Sequence, residues 1–140
     1  MTATRTLGLL IWALLAGGCH VLVPTQPPVE EPESDWGPLA VVENTGGMEA
    51  LAEGIVRIDR DCVWIGRRPI LLVWDTDRTR WEPPGRILFE RTDGEIVVIE
   101  NGRWFSMGGG YIQSTFEWVN PPNAGCPESH FLVSDVSPPD

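Results

Sequence analysis

From about residue 50 onward, hydrophobic and polar positions follow the spacing of short strands. In GIVRIDRDCVWI the two classes alternate, placing Val56 and Ile58 on one face and Arg57 and Asp59 on the other. That period of two marks a half-buried strand. The run PILLVWD is continuously apolar, as a central strand is, and GRILFE, EIVVIE, RWFSM, YIQSTFEWV and SHFLVS follow as further strands. Asp93-Gly94 and Asn101-Gly102 separate three of these segments and supply the positive φ angles of tight hairpin turns. No segment carries a helical stripe of useful length. The pattern predicts an all-β domain: a small antiparallel barrel or sandwich of six to seven strands, an OB-like barrel among the candidates.

Before residue 50 the texture is different. Arg5 and the amino terminus precede the apolar run Leu7–Leu15, which is too short to span a bilayer and has the length of a signal-peptide core. Ala16-Gly17-Gly18 then leads to Cys19. Small residues ending in a cysteine resemble the lipobox of bacterial lipoproteins, although Leu15 stands one position further from the cysteine than that family prefers. The resemblance implies cleavage after Gly18 and a lipid on Cys19, which would hold the chain to a bacterial membrane facing away from the cytoplasm. Simple secretion is the alternative. The stretch VPTQPPVEEPESDWGP is rich in proline and acidic residues and offers little to bury, the composition of a solvated linker. The expected organisation is a signal peptide over 1–18, a Pro/Glu-rich linker over 19–49 and a folded domain with a short tail over 50–140. Leu39-Ala40-Val41-Val42 is a short apolar patch within that linker, readable as linker or as an edge strand.

Three cysteines are an awkward number for an exported protein. If Cys19 carries lipid, Cys62 and Cys126 remain as an even pair for an oxidising compartment. Their disulfide would close a long loop and stabilise a small fold by roughly 4 kcal/mol on the chain-entropy account.

Charge narrows the partners. Twenty acidic residues face ten arginines and no lysine, for a formal net charge of −10. Nucleic acid and anionic lipid surfaces are poor partners for such a chain, and a basic protein is a better one.

Asp75-Thr76-Asp77, after its hydrophobic strand, resembles the first motif of the haloacid dehalogenase phosphatases. That family implies an α/β fold, a phosphate-binding lysine and a helix after the motif. This chain has no lysine, and Trp81-Glu82-Pro83-Pro84-Gly85 interrupts any helix. The segment is better read as a central strand followed by an exposed loop, in which Asp and Thr cap turns. Neither Asp59-Arg60-Asp61 nor Asp75-Thr76-Asp77 has the ligand spacing of a calcium loop. Two histidines, His20 and His130, are too few for a zinc site or a triad. Met107-Gly108-Gly109-Gly110-Tyr111 is read as a bulge or barrel corner rather than a phosphate loop. No cofactor, metal or catalytic residue is expected.

Five tryptophans fall within the domain. Trp64 and Trp74 lie in predicted strands and are expected to be buried. Trp81, in a Pro-rich loop beside Arg78 and Arg80, is the candidate for exposure, and tryptophan flanked by arginine is typical of binding hot spots. Trp81, Arg78, Arg80 and Tyr111 form the candidate binding surface.

The series GIVRIDRDCVWI, LLVWDTDRTRWE, TDGEIVVIENG, MGGGYI and Cys126 resembles a loose group of small, uncharacterised bacterial lipoproteins. The resemblance implies a compact disulfide-bonded β-domain and no particular activity. A weaker resemblance, through Ser106, Gly108 and Tyr111, is to the lysozyme-inhibitor lipoproteins. The expected function is therefore a non-catalytic, lipid-anchored envelope domain that binds a protein or wall component. The alternatives are an inhibitor of a basic hydrolase such as lysozyme, or a small hydrolase using paired carboxylates.

Overall fold

The computed structural model describes residues 34–43, 49–113 and 116–139. Ten strands run in chain order: β1 (Ala40–Val42), β2 (Ala50–Ile58), β3 (Val63–Ile65), β4 (Ile70–Asp75), β5 (Thr79–Glu82), β6 (Arg86–Glu90), β7 (Ile96–Glu100), β8 (Trp104–Ile112), β9 (Trp118–Asn120) and β10 (His130–Ser137). Among the described residues there is no helix. The Cys19 expectation lies outside the described residues.

Five strands close a ring. Strand β2 pairs with β3, β3 with β4, β4 with β10, β10 with β8, and β8 returns to β2. Every step is antiparallel except β4–β10, which is parallel with His130 beside Leu71 and Leu132 beside Val73. This is the five-stranded closure of an OB-like barrel. Strand β1 lies parallel to the C-terminal half of β4 and antiparallel to β9. Between β4 and β8 the chain forms a separate meander, β5-β6-β7.

The two hydrophobic patterns now have separate physical causes. Leu72 and Trp74 of β4 face the main core, packed with Ile87 and Phe89 of the meander and with Phe105, Met107 and Phe131 of the barrel. Leu71 and Val73 face the other way, into a second cluster with Val42, Ile112 and Leu132, over which Trp64 and Trp118 pack. A strand buried on both faces must be apolar throughout, which is why ILLVW shows no alternation. The same holds at β1 and along FLV of β10, the two strands that pair with β4 in parallel. Strands β6 and β7 are covered on one face only and alternate.

The folded unit therefore reaches further toward the N-terminus than residue 50. Leu39, Ala40, Val41 and Val42 are all buried, at 1% exposure or less, in a stretch the sequence assigns to a linker or an edge strand. Short length and missing alternation hide β1 in the sequence, because both of its faces are covered.

Three further expectations are corrected. GIVRIDRDCVWI is two strands: Asp59 Oδ1 accepts the N–H groups of Asp61 (2.8 Å) and Cys62 (2.7 Å) and folds the chain back as a turn. The loop after Asp75 is short, because Thr79–Glu82 pairs with β6 as β5. Asn101-Gly102 is not a hairpin between paired strands, since β7 and β8 belong to different sheets. Its groups serve β2 instead: Asn101 Oδ1 accepts the Ile58 N–H (2.9 Å) and the Gly102 N–H donates to the Val56 carbonyl (2.8 Å). The bulge expected at the triple glycine is found in the β8–β10 ladder, where the register shifts between Val133 and Asp135 of β10, opposite Gly109 and Gly108.

Candidate functional site

The cysteine pair is a disulfide. Cys62 and Cys126 have an S–S distance of 2.01 Å and a Cα–Cα separation of 5.7 Å, joining the β2–β3 turn to the loop before β10. Asn123 reinforces the junction by donating from Nδ2 to the Asp61 carbonyl (3.2 Å). The turn so fixed carries Asp59 and Arg60.

Asp59 and Arg60 line a groove of 1210 Å³. Ser34, Asp35, Gly37 and Pro38 of the N-terminal turn line it too, as do Pro83, Pro84 and Gly85. Trp81 of β5 is a further lining residue. Alternation along β5 buries Thr79, exposes Arg80 and leaves Trp81 half-buried against the main core. One edge of its indole rests on Gly37, whose φ is 52°. A Cβ there would fall 2.6 Å from Trp81 Cε2, so the close approach requires glycine. The turn itself is held by the Gly37 N–H donating to the Ser34 carbonyl (2.9 Å). Asn120 of β9 pins its exit, donating from Nδ2 to the Leu39 carbonyl (2.6 Å).

The groove thus combines an indole, several proline rings, the arginines Arg60 and Arg80, and the carboxylates Asp35 and Asp59. Such a lining offers apolar contact and both signs of charge, suited to a polar polymer or an extended peptide. Its polar groups come from four separate chain segments and leave no local sequence signature, which is why only Trp81 and Arg80 are visible in advance.

The four residues of the expected binding surface do not form one patch. Trp81 and Arg80 share the groove. Arg78 turns to the protein, donating from Nη2 to the Ser134 carbonyl and lying 5.0 Å over the Phe89 ring. Tyr111, at 52% exposure, stands edge-on to Phe131 from β8 and does not line the groove. Ser106, Gly108 and Tyr111 lie within β8, paired to β10 along their length, rather than in a protruding loop.

Asp75 is buried, and its Oδ1 accepts the Asp77 N–H (2.8 Å). This closes the turn into β5, the capping role expected from the sequence. Among the described residues no three His, Cys, Asp or Glu side chains are grouped as metal ligands. His130 packs edge-on against Trp118 with ring centroids 5.8 Å apart. Arg91 ties the β6–β7 loop to the barrel, meeting Glu95 at 3.0 Å, Asp135 at 3.4 Å and Asp93 at 3.7 Å. Those carboxylates, Asp93 foremost, raise the guanidinium above its ordinary pKa. Comparison of the chain with protein families, curated proteins and solved structures found no match.

Proposed function

We propose that this protein is a non-catalytic, lipid-anchored domain of the bacterial cell envelope that binds a protein or wall component. The groove carries this reading: Trp81 of β5 lines it together with the exposed Arg80 and the disulfide-held Asp59-Arg60 turn. A half-buried tryptophan flanked by arginines is the composition of an interaction hot spot. The disulfide and the signal-like N-terminus support an extracytoplasmic setting.

Two measurements test it. The intact mass of the protein from its host's membranes should correspond to a chain beginning at Cys19 and carrying lipid; an unlipidated chain would remove the anchor. Full-length protein should co-sediment with isolated cell-wall material or crosslink to an envelope protein. Arg60→Glu and Arg80→Glu, both at exposed positions, should abolish that association without altering the circular dichroism spectrum. Association unchanged in both variants would remove the groove from the function.

A further inference from the structure

Within the described residues the meander ends in an open edge. Among the described residues β7 pairs only with β6. The Glu90 N–H of β6 donates to Arg78, toward β5, whereas the next residue's N–H, that of Arg91, donates to the Glu95 carbonyl, toward β7. Alternation therefore turns the main-chain groups of Val97 and Ile99 inward to β6. It points those of Ile96 and Val98 away from the sheet, whereas the Glu100 carbonyl takes the Arg103 N–H (3.4 Å). The side chains of Ile96 and Val98 are also exposed, at 46% and 43%. Edge strands are ordinarily blunted by lysine, proline or a bulge. The IVVI of β7 has none of these.

The outer face of the meander indicates what fits beside this edge. Its cross-strand rows read Glu82–Arg86–Glu100, then Arg80–Leu88–Val98, then Glu90–Ile96. In the first row the signs alternate, with Arg86 meeting Glu82 at 2.6 Å, and the row ends on Glu100, whose exposed carboxylate otherwise meets only Arg103 of the following turn, at 3.7 Å, among the described residues. The other two rows end on exposed apolar side chains. Continuing the rows by one strand calls for a basic residue beside Glu100 and apolar residues beside Val98 and Ile96. We propose that β7 captures an extended segment of a partner protein, of the pattern basic–x–apolar–x–apolar, as a fourth, antiparallel strand of the meander. A second copy of this chain is a poorer occupant. Antiparallel β7–β7 pairing about Val98 would set Glu100 against Ile96 and bring together two chains of formal net charge −10.

The proposal deepens the protein-binding reading but uses a different surface from the groove, so the two fail separately. The probe is a capped peptide, Thr-Arg-Thr-Val-Thr-Ile-Thr, titrated into the full-length protein by calorimetry. Saturable binding is expected. Val98→Pro removes an outward N–H from an edge position that tolerates proline, and Ile96→Lys blunts the same edge. Each should weaken binding by at least about tenfold, or about 1.4 kcal/mol, with the circular dichroism spectrum retained. Glu100→Arg should transfer the preference to the peptide carrying Glu in place of Arg, and Arg60→Glu in the groove should change nothing. No saturation by about 1 mM peptide, or equal binding by both edge variants, overturns the proposal. Loss of binding in Arg60→Glu alone reassigns the peptide to the groove. A dimer of the parent protein that Val98→Pro dissolves assigns the edge to a second copy and overturns the proposed occupant.

Discussion

Gly37 and Thr79 are the residues at which a single atom decides most. At Gly37 an added methyl meets the Trp81 indole and also forces a side chain into the left-handed region at φ 52°. Gly37→Ala should lower stability by about 1–3 kcal/mol, read as a reduced midpoint in urea, and should quench or shift the Trp81 emission. Thr79 presents the opposite case. Its Oγ1 is buried and has no hydrogen-bond partner among the described residues. Thr79→Val removes that polar atom at nearly constant size, and a gain of up to about 1 kcal/mol is expected. A loss of stability would mean that the hydroxyl is satisfied in solution. At Gly109 a Cβ would collide with the Leu132 carbonyl across the β8–β10 ladder, so that position too admits only glycine.

At the scale of elements, the disulfide is the main constraint on the groove wall. Replacing both Cys62 and Cys126 by alanine should cost about 2–5 kcal/mol on thermal or chemical unfolding. Because Asp59 and Arg60 sit on the same turn, groove binding should fall even where the fold survives. How far the elements were legible depends on how many of their faces are covered. The one-sided strands β2, β6 and β7 declare themselves by alternation, and Cys62 with Cys126 follows from counting. Strand β1 did not declare itself, since three residues without alternation resemble any apolar patch. Strand β5 was masked by the flanking prolines and arginines, and the Asn101-Gly102 turn by its likeness to a hairpin whose strands go to different sheets. The candidate groove was legible only at Trp81 and Arg80; Asp35, Asp59, Arg60 and Asn101 meet there through tertiary pairing.

For the whole molecule, the burial of β1 sets the minimum folding unit. A chain beginning at Ala50 loses the fully buried side chains of Leu39, Val41 and Val42. At about 1.5–3 kcal/mol each, that loss is comparable with the entire stability of a small domain. Such a chain should give an unfolded or aggregated spectrum by NMR, whereas one beginning at Ser34 should give dispersed resonances. A well-dispersed spectrum from the shorter chain would show β1 to be dispensable.

The parallel pair β4–β10 has a consequence in time. The Leu71 N–H donates to the Ser129 carbonyl, and the ladder beyond it needs residues up to Leu132. The ring therefore cannot close until β10 is available, and the long loop between its partners makes closure slow. Throughout that interval Leu71 and Leu72, which lie outside the half of β4 that pairs with β1, lack their β10 partner and form an apolar stretch open to misassembly. A barrel built this way stays open while the chain is still being synthesised. It reaches its final form only once its last strand has emerged.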